Sequence, residues 1–128
     1  MAYYFRKTLN MGFDEVTDRI SEELIKEGFG ILTEIDVKET LKKKLDVDFR
    51  NYRILGACNP PYAYKALQIE DKIGLMLPCN IIVQEISGGG VEVAAIDPEA
   101  SMQAIENKDL AEVAKEVKAK LKRVVDHL

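Results

Sequence analysis

Two cysteines, Cys58 and Cys79, occur in closely similar settings and are the first candidates for chemistry in this sequence. Each is followed by asparagine and has a proline within two residues, in the stretches "CNP" at 58–60 and "PCN" at 78–80. Cysteine thiolates are nucleophiles, redox groups and ligands of soft metal ions. Buried thiols also pack as small apolar side chains. The pattern leaves four interpretations open: a disulfide, a metal clamp, a reactive site, or two core residues.

The surroundings of Cys58 favour a reactive thiol. Cys58 ends a predicted strand, and Asn59 and Pro60 are typical of the N-cap and first position of a helix. A helix N-terminus carries partial positive charge, which stabilises a thiolate. If the strand that begins near Cys79 lies beside the strand that ends at Cys58, the two sulfur atoms approach each other. We expect Asn59 and Asn80 to frame the small pocket that would result.

A pair of carboxylates forms the second candidate site. Glu34 and Asp36 occupy alternate positions of a predicted strand, so their side chains share a face. Paired carboxylates can perform acid–base chemistry or hold a hard cation. Asp36 also has Glu39 three residues later, which is a capping-box pattern. The structural interpretation is favoured, and both residues remain candidate ligands.

The sequence offers few of the residues that other kinds of site would need. His127 is the only histidine and the penultimate residue, so a Cys–His arrangement would need that terminus to fold back over the thiols. We therefore assign no catalytic residue and leave open whether the protein is an enzyme. A structural zinc site needs four Cys or His ligands, whereas two thiols can hold a soft ion such as copper(I). The "GGG" at 88–90 precedes a strand and is a turn, not a phosphate loop.

Composition bounds the class of protein. With 128 residues, 47% of them hydrophobic and 31% charged, the chain is expected to be one globular domain spanning residues 1–128. A net charge of -4 disfavours nucleic-acid binding. The apolar stretch from Ile73 to Val83 contains Pro78 and is too short to span a membrane. Since no export signal is visible, we expect a cytoplasmic protein without membrane association, in which a disulfide between the two cysteines is disfavoured.

Hydrophobic periodicity and turn residues predict the order β-α-β-α-β-α-β-β-β-α. Asp109 and Glu112 form a capping-box pattern that predicts the start of the last, long helix. The predicted strands are "YYFRKTL", "FGILTEI", "YRILGAC", "IGLML", "NIIVQEIS" and "VEVAAI". This order is typical of a two-layer α+β domain with a mixed or antiparallel sheet and helices mainly on one face. The near-continuous apolar run around "IGLMLPCNIIV" fits a strand buried on both faces, at a dimer seam or inside the domain.

Four stretches together resemble a known family: "GFGILTEIDVKETLKKKL", "YRILGACNPPYAYKAL", "IGLMLPCNIIVQE" and "VEVAAIDP". They are similar to the domain-of-unknown-function family numbered 302, and the resemblance runs from about Phe5 to the last helix. It implies a small α+β domain of bacteria and archaea that tends to form homodimers, without an established reaction. The positions it marks are Glu34, Asp36, Cys58, Asn59, Pro60, Pro78, Cys79 and Asn80.

These observations lead to one principal hypothesis and two alternatives. The principal hypothesis is a cytoplasmic, homodimeric binding module in which Cys58 and Cys79 line a small pocket for a soft metal ion or a thiol-reactive small ligand. The first alternative is a thiol-redox enzyme that cycles the two cysteines between dithiol and disulfide. The second is a structural or protein-interaction domain whose cysteines are core residues.

Overall fold

A computed structural model describes residues 2–128 as one five-stranded sheet with helices packed against it. The strand order is β1-β5-β4-β3-β2, and every neighbouring pair is antiparallel. The strands are β1 (Tyr4–Leu9), β2 (Gly30–Asp36), β3 (Tyr52–Cys58), β4 (Cys79–Glu85) and β5 (Val91–Ile96). The helices are α1 (Phe13–Lys26), α2 (Val37–Leu45), α3 (Pro60–Ile69), α4 (Pro98–Ser101) and α5 (Lys108–Asp126), with a 3-10 helix at Asp71–Met76. The predicted α+β class, with its long C-terminal helix, is confirmed.

The two longest helices provide most of the helical layer. Val16, Ile20 and Leu24 of α1 are fully buried and recur every four residues, so one face of the helix packs against the sheet. Helix α5 buries a similar stripe from Leu110 to Val125. Alternate residues of β4 such as Ile81 complete the core beneath them. No helix formed within residues 2–128 is both long and apolar enough to cross a bilayer.

Local capping signals set several element ends, and the cap at Asp36 is one that the sequence predicts. The Asp36 carboxylate accepts a hydrogen bond of 2.9 Å from the Glu39 N–H and starts α2. Asp97 likewise accepts from the Glu99 N–H at 3.0 Å, ahead of α4. Gly28, with a φ of +88°, follows α1 and takes the left-handed conformation that glycine adopts most readily.

Two predicted elements differ from the structure. The stretch "IGLML", predicted as a strand, lies mostly in the 3-10 helix Asp71–Met76, so the sheet has five strands and not six. Ile73 is fully buried while Leu75 is 87% exposed, which a strand buried on both faces would not allow. The prediction for this run was therefore wrong in its first half. The start of α5 was also misplaced: Asn107, not Asp109, is the N-cap, and its side chain accepts from the N–H groups of Asp109 and Leu110.

The sheet face opposite α1 and α5 is partly open. The register places Tyr4 opposite Ile96, Ile82 opposite both Ile54 and Ala94, and Tyr52 opposite Gln84. We call this surface the open face, and its apolar members are Tyr4, Ile35, Tyr52, Ile54, Ile82, Ala94 and Ile96. Ile35 is 47% exposed and Tyr4 37% exposed, while the other members are half-buried.

Candidate functional site

A cavity of about 330 Å³ lies where the ends of β3 and β4 meet the helical layer, and both cysteines line it. Its wall is almost entirely apolar. The other residues of the wall are Phe29, Leu32, Ala57, Asn59, Tyr62, Ala63, Ala66, Leu67, Gly74, Leu77, Pro78, Met102, Val113, Ala114 and Val117. We call this space the thiol cavity.

The strand register explains why the two thiols meet. β3 and β4 are antiparallel neighbours, with Ala57 opposite Cys79, so the condition under which the two sulfur atoms were expected to approach is met. Cys58 is the last residue of β3, where the chain turns into α3. One residue along a strand and one strand across place the Cα atoms of Cys58 and Cys79 about 6 Å apart. Both Cys58 and its neighbour Ala57 line the thiol cavity together with Cys79, so regular alternation does not separate the two thiols at this strand end.

The two thiols differ in their surroundings. Both cysteines are free; Cys58 is half-buried, whereas Cys79 is 8% exposed. Burial raises the pKa of the Cys79 thiol to about 11, and the neighbouring Cys58 thiol adds to the increase. Cys79 is therefore a protonated, uncharged thiol at neutral pH. Cys58 is the more exposed of the two cysteines.

Close packing fixes the wall next to Cys79. Gly56 of β3 lies against Thr33 and Pro78, and Pro78 lines the thiol cavity. A Cβ atom added to Gly56 would lie 2.7 Å from the Pro78 Cγ and still closer to the Thr33 hydroxyl. Such separations are shorter than any ordinary contact, so only glycine lets β3 approach Pro78 in this way.

Asn59 lies in the thiol cavity wall but does not cap its helix through the side chain. It occupies the N-cap position of α3, as predicted, without a side-chain capping hydrogen bond. Its Nδ2 instead donates to the Glu27 carbonyl oxygen at 3.0 Å, and its amide packs against Gly28. Asn59 thereby ties the start of α3 to the end of α1.

Asn80 does not join this site. It is exposed and lines a separate cavity of about 440 Å³ on the open face, together with Tyr52 and Gln84. Cys79 and Asn80 are consecutive residues of β4, so their side chains point to opposite faces. The structure thus brings Cys58, Cys79 and Asn59 together and places Asn80 elsewhere.

The carboxylate pair also lies apart from the thiols. The exposed Glu34 Oε1 is 3.6 Å from the Arg53 guanidinium, and Asp36 caps α2; neither lines the thiol cavity. Among residues 2–128, no three His, Cys, Asp or Glu side chains cluster closely enough to hold a metal ion. The two cysteines are the thiolate ligands that the thiol cavity offers to a soft ion.

Charged residues beside Tyr62 are a part of the site that the sequence analysis missed. Arg123 donates two hydrogen bonds to the Glu27 Oε1, at 3.0 and 3.2 Å, and Lys120 Nζ lies 3.9 Å from the same oxygen. Lys120 Nζ is also 5.8 Å from the centre of the Tyr62 ring. Glu27 and Arg123 are far apart in the chain, so only the packing of α1 against α5 brings them together. Met102 and Val117 of the cavity wall were also missed, because they reach it only through the packing of α4 and α5.

Comparison with known proteins gives the same fold. The sequence model of the family described as "Domain of unknown function DUF302" matches residues 5–128. A solved structure described as "uncharacterized conserved protein DUF302 from Bacillus stearothermophilus" superposes with a TM-score of 0.91 at 28% identity, covering 98% of each chain. No curated protein matches the chain. The matched range 5–128 includes all the residues that line the thiol cavity.

Proposed function

The chain belongs to the DUF302 family, and we propose that it is a binding protein that holds a small, mostly apolar organic ligand in the thiol cavity. Cys58 is the side chain that bonds to a ligand that reacts with thiols. The observation that carries the proposal is an apolar cavity of about 330 Å³ whose wall contains both cysteines.

The dimensions of the cavity favour an organic ligand over a single ion. Ligand pockets span roughly 300–1,000 Å³ and have apolar walls with a few polar groups. The thiol cavity lies at the lower end of that range, and Asn59 and Tyr62 are its polar side chains apart from the thiols. A soft ion such as copper(I) is the second candidate, because the Met102 thioether lines the same wall as the two thiols.

The bonding step is an addition that needs no oxidant. The Cys58 sulfur forms a bond to the β carbon of an activated carbon–carbon double bond, and the thiol proton passes to the α carbon. All atoms of the ligand are retained in the product. Cys79, whose pKa is raised to about 11, stays protonated beside it and contacts the ligand as an apolar group.

Two matched electrophiles test this proposal by intact-protein mass spectrometry. Pentyl vinyl ketone carries four more methylene groups than methyl vinyl ketone, which at about 0.8 kcal/mol each favour binding by up to ~200-fold when they are fully buried. We expect native protein to gain one adduct per chain, at least about tenfold faster with the pentyl ketone. The adduct should be lost in Cys58→Ala and kept in Cys79→Ala.

The mass-spectrometry results distinguish the proposed binding role of the two thiols from a redox role and from a purely structural one. Equal rates for the two ketones in native protein, or an adduct that persists in Cys58→Ala, would refute the proposal. Thiols that react only after denaturation would identify core residues in an interaction domain. The thiol-redox alternative is supported by the free cysteines on neighbouring strands and predicts a mass lower by two hydrogens per chain as purified.

We place the protein in the cytoplasm, where two free thiols remain reduced.

A second copy of the chain is the proposed partner, bound through the open face. Five strands spaced about 4.8 Å apart, each about 20 Å long, present roughly 500 Å² before side-chain relief is counted. That is of the same order as the roughly 800 Å² each partner buries in a standard interface. The tyrosines on this face, Tyr4 and Tyr52, are of a residue type enriched in interfaces.

The oligomeric state can be measured by light scattering after size-exclusion chromatography. We expect wild-type dimers and an Ile82→Glu monomer, because the new carboxylate would be buried at the centre of the open face. Leu45→Glu is the matched control, since Leu45 is 66% exposed and lies in α2. A monomeric wild-type chain, or a dimeric Ile82→Glu variant, would refute this assignment.

A further inference from the structure

The charges at one end of the thiol cavity indicate what kind of ligand it takes. Helix α3 borders the cavity from Tyr62 near its N-terminus to Leu67, which is 45% exposed. Leu32, 67% exposed, also lines the wall. We call the part of the cavity wall around Tyr62, near the N-terminus of α3, the Tyr62 end. A ligand group at the Tyr62 end presupposes the binding function proposed above.

Lys120 lies next to the Tyr62 end, and its positive charge is only weakly neutralised by neighbouring residues. It follows Val117, which lines the cavity, by one turn of α5, so the two side chains lie on the same side of the helix. Its Nζ lies 5.8 Å from the centre of the Tyr62 ring, and its side chain is 26% exposed. Within residues 2–128 its one ion pair is the 3.9 Å approach to Glu27, and its side chain makes no hydrogen bond.

Glu27 is already neutralised by another residue. Both hydrogen bonds of the Arg123 guanidinium reach the Glu27 Oε1, and they are the main cause of the lowered pKa of Glu27. Hydrogen bonding to Glu27 is likewise the main cause of the raised pKa of Arg123. The group contains two cations, Lys120 and Arg123, and one anion. Lys120 supplies the excess positive charge.

We infer that the ligand is an anionic amphiphile, a medium-chain carboxylate whose tail fills the thiol cavity and whose carboxylate lies between Lys120 and the Tyr62 hydroxyl. A cavity of about 330 Å³ holds roughly eleven groups of water size, at about 30 Å³ each. Octanoate, with eight carbons and two oxygens, is about this size. The ammonium and the phenol both donate hydrogen bonds, and a carboxylate is the acceptor that matches them.

Isothermal titration with octanoate and octanol isolates the contribution of the charge, because the two probes share the same tail. We expect octanoate to bind one per chain and at least about fivefold tighter than octanol, as one charge-assisted hydrogen bond provides. Lys120→Gln should weaken octanoate by a similar factor and leave octanol unchanged. Lys115→Gln, at an exposed position of the same helix, is the matched control and should change neither.

A second variant should shift affinity in the opposite direction. Glu27→Gln removes the anion of the group and leaves Arg123 without its partner, so octanoate should bind tighter while octanol is unaffected. Circular dichroism of each variant checks that the fold is retained.

The inference is overturned if octanol binds as well as octanoate, if Lys120→Gln leaves octanoate affinity unchanged, or if octanoate does not bind. In each of these cases the selectivity for pentyl vinyl ketone at Cys58 still decides the proposed binding function by itself. A thiol cavity that accepts the ketone and binds the two probes equally would be a neutral apolar site.

Discussion

Ala63→Leu tests whether the thiol cavity is open space that a side chain can fill. Ala63 is half-buried in the first turn of α3 and lines the cavity. Leucine adds three carbon groups, roughly 90 Å³ at about 30 Å³ each, which is about a quarter of the 330 Å³ present. Burying them contributes about 2.4 kcal/mol, and about 1 kcal/mol is lost to side-chain ordering and helix propensity. Because the site is partly open to solvent, we expect a net gain of about 1 kcal/mol.

The free energy of unfolding is measured by urea titration followed by far-ultraviolet circular dichroism, since the chain contains no tryptophan. Ala119→Leu is the control, because Ala119 is exposed on α5 and should change stability by less than about 0.5 kcal/mol. The filled cavity should also slow adduct formation by pentyl vinyl ketone at least about tenfold. A loss of more than about 1 kcal/mol in Ala63→Leu would mean that no such space exists, and the argument for a ligand would fail with it.

Three further predictions concern residues around the site and the start of α5. Gly56→Ala should lower the free energy of unfolding, measured in urea, by about 1–3 kcal/mol. Gly30→Ala is the control and should be nearly neutral, because its added Cβ would meet no atom within 4 Å. Equal losses in the two variants would contradict the close packing described at Gly56. Folding raises the pKa of Cys79 from 9.0 to about 11, so the unfolded chain loses its proton first as pH rises. The free energy of unfolding should therefore fall by about 2.7 kcal/mol in total as the pH rises from below 8 to above 12, at 1.36 kcal/mol per pKa unit, with about 2 kcal/mol of this between pH 9 and 11; Cys79→Ala should lack this component. Asn107→Ala should lower the free energy of unfolding by about 1 kcal/mol, because it removes the N-cap of α5, and Asp109→Ala should lower it much less. A larger loss in Asp109→Ala would mean that Asp109 is the N-cap, as the sequence analysis predicted.

Most element boundaries could be predicted because they depend on neighbouring residues. The capping carboxylate of Asp36, the prolines at the start of α3 and the glycine after α1 act within a few positions of the chain. The stretch from Ile73 to Leu77 could not be read in this way. Its residues are uniformly apolar, and the contrast between buried Ile73 and exposed Leu75 depends on what packs beside them.

Only part of the candidate site could be predicted from the sequence. The similar settings of Cys58 and Cys79 marked both residues as candidates, but only the strand register shows that their strands are neighbours. The expectation that Asn80 would frame the same pocket overlooked strand alternation, which turns the residue after Cys79 to the other face. Met102 and Lys120 reach the site only through the packing of α4 and α5, and no local pattern marks them.

The pairing of β1 with β5 has a consequence for how the chain folds. β1 leaves the ribosome first, yet its partner is made only after the segment from Leu9 to Val91. Closing a loop of about 80 residues costs about 4 kcal/mol of chain entropy, against about 1 kcal/mol for the short turn between β4 and β5. We expect β2 to β5 to assemble first, with β1 the last strand to gain protection from hydrogen exchange during refolding. Until β1 arrives, β5 is an unpaired edge, and a second nascent chain can compete for it.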